Sequence, residues 1–220
     1  MLAAIGLMLA GAAAVPAAAA NSVRPTVQIE IDVEPDVAIE LSDLQAAAAD
    51  IRRIWAPVLD LRVTIHAGAS GLWGVNAIPL VITNRTLDSR ETTGLGWIGF
   101  ADGEPQIPLT VSLTAIRRMA QRATWNGMRL ERMPSMASRR FVQRALARAA
   151  AHEIGHYLLR SQAHARRGLM RPVFTAEQIM DAQPALDRLD PANMAKLRSI
   201  AALLVRNEPM DDRQLSIANC

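Results

Sequence analysis

The chain has 220 residues, half of them hydrophobic, and 24 Lys and Arg side chains against 21 Asp and Glu give a formal net charge of +3. This length suits a single domain, whose folding can bury about 70 % of the surface of the unfolded chain. A net charge this small does not indicate a surface that binds nucleic acid. The chain has one cysteine, Cys220, so it cannot form an internal disulfide. We therefore expect no nucleic-acid partner, and nothing in the sequence indicates an oligomeric state.

Residues 1–20, MLAAIGLMLAGAAAVPAAAA, are uncharged, rich in alanine and end in small residues. They predict a signal peptide with an A-x-A-type cleavage site near Ala20, followed by one domain over residues 21–220. No Lys or Arg precedes the apolar run. A helix that anchors the protein to the membrane is the alternative, less favoured because alanine and glycine are weakly lipophilic. We expect a secreted or periplasmic protein that is free of the membrane after cleavage.

Alternating apolar and polar residues predict most of the strands. Residues 26–35, TVQIEIDVEP, predict a half-buried strand, and residues 41–56 predict a helix with Ser42 as its N-cap. His66 falls on the polar face of the next strand, where it is interpreted as a solvated histidine. Four further strands are predicted at LRVTIHAG (61–68), IPLVITN (78–84), GLGWIGF (94–100) and IPLTVSLTAI (107–116), the last two joined by a turn.

Residues 117–140 are rich in arginine and methionine and contain Trp125. They predict a loop or short helix with a solvated basic face, and a flap over a cleft is the alternative. The strongest helix signal follows at 139–160, with Ser138 as its N-cap.

Two helices are predicted beyond this long helix. Thr175 caps a short one, and Asp190 caps a final one whose first residue is Pro191. The order of elements predicts an α+β fold, with a mixed sheet of about five strands, a helix after the first strand and helices segregated toward the C-terminus.

The long helix carries the sequence H-E-x-x-H at His152, Glu153 and His156. Two histidines four residues apart project from nearly the same side of a helix, so both imidazoles can reach one ion. Glu153 is rotated by about 100° from His152, which places it beside a water on that ion rather than on the ion itself. The pattern predicts zinc as cofactor, with Glu153 as the general base that takes the proton of the water and passes it to a leaving amine.

A catalytic zinc takes three protein ligands and keeps one position open. His164 lies twelve residues after His152, which is about 18 Å along a continuous helix and out of reach. If His164 is the third ligand, the helix must end near Leu159 and the chain must turn back. Glu177 and Asp181, after the turn, are the alternative third ligands.

The stretch HEIGHYLLRSQAHARRGLMRP, residues 152–172, resembles the active-site region of the metzincin clan of zinc peptidases, most of all its matrixin-type branch. That family carries H-E-x-x-H-x-x-G-x-x-H, followed by a tight turn with a methionine under the metal. Leu169, Met170 and Pro172 stand at the family's distance from the helix for this Met-turn.

Two positions depart from the family pattern. Leu159 replaces the glycine that ends the helix, and Gln162 stands where the third histidine is expected, two residues before His164. The resemblance implies a zincin-like fold with a long active-site helix, a Met-turn and C-terminal helices, and it implies that the strand at 107–116 forms the edge of the cleft.

The sequence and the resemblance together predict an exported zinc-dependent endopeptidase that acts on peptides or proteins. Glu153 is its expected general base, Met170 its expected Met-turn residue, and His152, His156 and His164 its expected zinc ligands. A secreted module that keeps the zinc site and binds without cleaving peptides is the alternative.

Overall fold

The computed structural model of the protein describes residues 24–66, 68, 71, 73–87, 94–181, 185 and 187–205, the last five of these through their backbone only. The expected signal peptide and Cys220 lie outside these residues. The elements are β1 (Thr26–Val33), α1 (Leu41–Trp55), β2 (Asp60–His66), β3 (Ala77–Thr83), β4 (Gly96–Ala101), β5 (Glu104–Ser112), α2 (Leu113–Arg122), β6 (Thr124–Trp125), β7 (Met128–Arg129), a 3-10 helix (Leu130–Arg132), α3 (Ser135–Leu159), α4 (Ala176–Met180) and α5 (Pro191–Val205). No helix within the described ranges has both the length and the apolarity to cross a membrane.

Five strands form the main sheet, in the order β2-β1-β3-β5-β4. The first four run parallel, and β4 runs antiparallel to β5, as expected for two strands joined by a tight turn. The predicted α+β class, the mixed sheet of five strands and the helix after the first strand are confirmed.

One apolar core joins this sheet to α1 and α3. Ile29 and Ile31 of the central strand β1 are buried, and Trp55 of α1 and Phe141 of α3 are among the largest fully buried side chains. The helix α3 packs on α1, β5 and β4. It is held on several sides, so its last turns have a fixed place beside the edge of the sheet.

The prediction that β1 is half-buried is wrong. Glu30 and Asp32, on the polar side of the strand, are only 7 % and 1 % exposed. The indole of Trp73 donates a hydrogen bond of 2.7 Å to Asp32, and the backbone N–H of Gly74 donates one of 3.0 Å to Glu30. The segment before β3 therefore covers the second face of the strand.

The predicted strand 107–116 is also placed differently. It starts earlier, at Glu104, and ends at Ser112, whose hydroxyl accepts a hydrogen bond of 3.1 Å from Ala115 N–H and so caps α2. The resemblance implied that this strand is the edge of the cleft. That expectation is wrong, because β4 lies outside β5 and forms the edge itself.

The predicted caps are confirmed at two helices and wrong at two. Thr175 forms a capping box with Gln178, and Asp190 accepts hydrogen bonds from two N–H groups at the start of α5. The helix α1 begins one residue before Ser42, and α3 begins three residues before Ser138, whose hydroxyl instead donates to the carbonyl of Leu130.

The arginine- and methionine-rich segment 117–140 is mostly regular structure. It comprises the end of α2, the short hairpin β6–β7, the 3-10 helix and the first turn of α3. The indole of Trp125 donates a hydrogen bond of 3.2 Å to Asp181, so the hairpin is tied to the segment that follows α4.

Candidate metal centre

The last two turns of α3 carry the histidine pair inside the protein. His152 and His156 are 8 % and 5 % exposed, and Glu153 between them is 5 % exposed. These three side chains lie between the edge of the sheet and the chain that returns after the helix. The end of the helix is otherwise apolar, and its polar groups are buried together there.

Backbone carbonyls fix the orientation of both imidazoles. His152 Nδ1 lies 2.8 Å from the carbonyl oxygen of Leu169, and His156 Nδ1 lies 2.6 Å from that of Ser161. A carbonyl can only accept, so each Nδ1 carries the proton and donates, and each neutral ring keeps its lone pair on Nε2. This is the arrangement by which a partner outside the metal shell sets the tautomer of a metal-binding histidine.

The two Nε2 atoms face one another at 2.9 Å. Two lone pairs at this distance repel unless a cation or a proton lies between them. A tetrahedral zinc with bonds of about 2.0–2.1 Å would separate two ligand nitrogens by roughly 3.3 Å, only a few tenths more than the observed distance. The donor set therefore fits a zinc ion, with little movement of the rings.

His164 lies beside His152 and His156 because the helix ends near Leu159, as a third ligand at His164 requires. The helix α3 ends at Leu159, and Arg160 takes the left-handed conformation, with φ 46°, that reverses the chain without a glycine. The ring centroid of His164 lies 5.3 Å from that of His152 and 4.9 Å from that of His156. One ligand atom from each of the three histidines lies within 4.8 Å of the others.

The alternative third ligands stand apart from this group. Glu177 is exposed on α4, and Asp181 accepts the hydrogen bond from Trp125. Across the described residues, the three histidines are the only group of three or more His, Cys, Asp or Glu side chains close enough to share an ion. The fourth histidine, His66, lies on β2 and is half-buried, with Nε2 3.8 Å from a carboxylate oxygen of Glu30.

Met170 lies fully buried under the helix, in the turn after His164. A Cβ added at Gly155 would lie 2.3 Å from the sulfur of Met170, so the methionine packs directly on the helix backbone beside His156. Sequence reasoning missed this role of Gly155. A glycine inside an otherwise strong helix was the available signal.

The turn that carries Met170 is held by backbone contacts. Gly168 has φ 75°, and a Cβ there would lie 2.2 Å from the carbonyl oxygen of Arg188. That carbonyl accepts a hydrogen bond of 2.8 Å from Leu169 N–H, and the carbonyl of Met170 accepts one of 2.7 Å from Ala165 N–H. The turn needs glycine at this position.

Burial shifts the pKa values of the histidines toward the neutral form. Burial lowers the pKa of His152 to about 4, and the nearby His156 and His164 lower it further. The hydrogen bond to the carbonyl of Leu169 has a smaller effect in the opposite direction and raises this pKa. Burial also lowers the pKa values of His156 and His164. All three rings are therefore neutral at pH 7, the form that binds a metal.

The same burial raises the pKa of Glu153 to about 8. Its carboxyl group lies against β4, where a Cβ added at Gly96 would lie 3.0 Å from Glu153 Cγ and 3.1 Å from an oxygen. Glycine at this edge position lets the strand and the carboxyl group approach closely. A cation nearby would favour the ionised form and bring the pKa of the carboxyl group back down.

No protein-family model and no curated protein matches the chain. Among solved structures, it is similar to a crystal structure of archaemetzincin from Methanopyrus kandleri, with 14 % identity, a TM-score of 0.45, and coverage of 83 % of this chain and 95 % of that chain. Nothing in these comparisons supports the matrixin-type branch in particular. A likeness this weak is no guide to activity, so the function proposed below depends on the residues of this chain alone.

Replacing Gly155 by alanine tests the packing of Met170. An ordinary glycine-to-alanine change inside a helix stabilises by about 0.5–1 kcal/mol. Here we expect the opposite sign, a loss of about 1–2 kcal/mol, because the new methyl group collides with the sulfur of Met170. Urea unfolding of both single variants and of the double variant with Met170→Ala gives the coupling. An equal loss in the Met170→Ala background would contradict the contact.

The free energy of unfolding of the metal-free protein is expected to fall as the pH rises from about 7.5 to 9. In this window the folded state still holds part of a proton on Glu153 that the unfolded chain has released, while the histidines, whose ordinary pKa is about 6.5, are almost fully neutral in both states. The fall is at most about 1 kcal/mol, because a whole proton is worth 1.36 kcal/mol per pH unit and the carboxyl group of the folded state itself loses its proton across the window. Urea titrations across the window should show it for the parent, and Glu153→Gln should flatten it. A slope that survives in the variant assigns the proton elsewhere.

Proposed function

We propose that this chain is an exported zinc-dependent endopeptidase. One observation carries the proposal: two histidines whose Nδ1 atoms are held by carbonyls turn their Nε2 lone pairs toward each other, with a third histidine in reach and a buried glutamate between them. The export depends on residues 1–20 alone, and anchoring by the same residues is its alternative.

The site would hold the ion through His152, His156 and His164. A zinc ion held there supplies Lewis-acid activation of a water and of a substrate carbonyl. The chain's own groups do the rest. The carbonyls of Leu169 and Ser161 keep the rings in the binding tautomer, and the burial of His152, Glu153 and His156 strengthens electrostatic interactions among them.

Glu153 is the proton carrier of this proposal. It neighbours His152 in sequence but points toward β4, so its carboxyl group faces the space beside the histidines rather than their nitrogens. As a carboxylate it takes a proton from the attacking water, and as a carboxylic acid it donates that proton to the leaving amine. Burial raises the pKa of Glu153 to about 8, and a cation at the histidines would lower it toward neutral pH, where both steps are possible.

The strand β4 is the proposed docking edge for an extended peptide. It ends the sheet order, so its outer backbone groups are not used by another strand of the main sheet. A peptide that pairs with it by main-chain hydrogen bonds would pass Gly96 and therefore Glu153. Peptides and proteins are thus the proposed substrates.

A secreted zinc-containing binding module remains the second candidate. The observation that favours it is the exposure of His164, which is the only exposed member of the three and stands two residues from the family's position. A zinc site with an accessible histidine can bind a partner without cleaving it.

Zinc content tests the ligand set. We expect about one zinc per full-length chain by mass spectrometry of metals, and zinc affinity reduced in His164→Ala by more than the roughly 10–100-fold that loss of an outer partner costs. His66→Ala is the matched control and should keep its zinc, because His66 lies outside the cluster. Zinc kept by His164→Ala but lost from Glu177→Gln or Asp181→Asn would move the third ligand to α4 or the residue after it. A parent that binds no zinc after reconstitution would contradict the proposal.

Glu153→Gln separates the enzyme from the binding module. The substitution keeps the size of the side chain and removes the base, so zinc should stay bound while cleavage of a fluorogenic peptide mixture falls by at least about 100-fold. Glu131→Gln, at an exposed position of the 3-10 helix, is the control and should cleave like the parent. A zinc-loaded parent that cleaves nothing would instead favour the binding module.

A further inference from the structure

We propose that a cavity between α1 and α3, separate from the histidine cluster, binds the phosphate group of a small molecule through Arg140 and Arg144. The cavity has a volume of about 350 Å³. Its charged lining consists of Arg53, Arg140, Arg144, Arg148, Asp50 and Asp187.

Three of these arginines form a stripe along α3. Arg140, Arg144 and Arg148 are four residues apart, so they project from the same side of the helix one turn after another. Like charges at this spacing destabilise a helix by about 0.2–0.5 kcal/mol per pair. Arg53 adds a fourth guanidinium from α1. A stripe of repelling charges that faces a cavity is stabilised when an anion enters it.

The two carboxylates of the lining are already engaged. Asp187 accepts hydrogen bonds of 2.8 Å from Arg148 and 3.0 Å from Arg53, and Asp50 accepts one of 3.2 Å from Arg53. Four arginines against two aspartates leave a formal charge of +2 on the lining (4 − 2). The excess lies on the arginines that have no carboxylate partner.

Arg140 and Arg144 are the two arginines of the lining that have no carboxylate partner. Neither forms an ion pair with any residue that the structure describes, and Arg144 donates only to the carbonyl of Met180. Burial lowers the pKa of Arg144, and the nearby Arg140, Arg148 and Arg53 lower it further, against a smaller opposing effect of Asp50. The contributions of the three neighbouring arginines reflect a positive potential where an anion would sit.

The remaining two arginines, Arg53 and Arg148, are already paired with carboxylates. The side chains of Arg148 and Asp187 are only 6 % and 7 % exposed, and the guanidinium of Arg148 also donates to the carbonyls of Gln178 and Asp181. The ion pair forms a fixed wall of the cavity, so binding of an anion need not break it.

A phosphate group fits this arrangement. The planar guanidinium donates paired hydrogen bonds that match phosphate oxygens, and the two guanidinium groups without a carboxylate partner match the two charges of a phosphate group. The volume falls at the lower end of the range for small-molecule pockets, about 300–1,000 Å³.

Calorimetric titration of the full-length protein with pyrophosphate tests the proposal, at an ionic strength kept constant with sodium chloride. We expect saturable binding that weakens by about tenfold or more in Arg140→Gln and in Arg144→Gln, because each change removes a charged donor to phosphate. Arg118→Gln, with the same loss of charge on the exposed surface of α2, is the matched control and should change the affinity less than about twofold. Asp50→Asn removes a negative charge from the lining and should strengthen binding severalfold.

Three outcomes would overturn the proposal. The first is a parent protein that shows no saturable heat. The second is an Arg118→Gln variant whose binding of pyrophosphate is weakened as much as that of Arg140→Gln. The third is an Arg140→Gln variant that binds pyrophosphate like the parent. The last result is also the one expected if pyrophosphate binds through a metal at the histidine cluster. The Arg144→Gln variant loses the contact to Met180 and could unfold for that reason. Arg140 is exposed and holds no element in place, so Arg140→Gln tests the phosphate site even in that case.

Discussion

Two backbone carbonyls decide what the histidines of α3 can do. The oxygens of Leu169 and Ser161 fix the protons on Nδ1 and turn the Nε2 lone pairs of His152 and His156 together. Both oxygens belong to the chain that returns after the helix, not to the helix itself. The spacing of the histidines is therefore necessary for a metal site, while the path of the return chain sets the tautomers that such a site needs.

That path depends on a few tight contacts. Arg160 reverses the chain at the end of α3, and Gly168 makes the turn that brings Leu169 under His152. The turn is bonded to the carbonyl of Arg188, whose neighbour Asp187 is tied to Arg148 one helical turn before His152. A buried ion pair adds little net stability, but losing one partner leaves a charge uncompensated. The pair therefore holds the return chain on one path more than it strengthens the fold.

Local sequence patterns predicted the centre better than its surroundings. The histidine spacing and the end of α3 near Leu159 follow from helix geometry, which acts over a few residues. The burial of Glu30 was not predictable, because the segment that covers it lies more than forty residues later. Apolar and polar residues alternate through 107–116, but the strand ends at Ser112, because this serine caps α2.

The edge strand shows the same limit at the level of topology. A sequence can indicate that β4 and β5 form a hairpin, but which of the two lies outermost depends on which one pairs with β3. The resemblance placed the cleft beside the wrong member of the pair. The glycine at position 96, which lets the edge approach Glu153, then had no interpretation from sequence.

Burial acts on the two kinds of group in this centre in opposite directions. It keeps the histidines neutral and so ready to bind a cation, yet it keeps Glu153 protonated and so unable to act as a base at pH 7. A cation at the histidines reverses the second effect, because a nearby positive charge favours the carboxylate. Burial therefore couples the two proposed functions: if the histidines hold the metal and Glu153 is the base, the base is available only once the metal is in place.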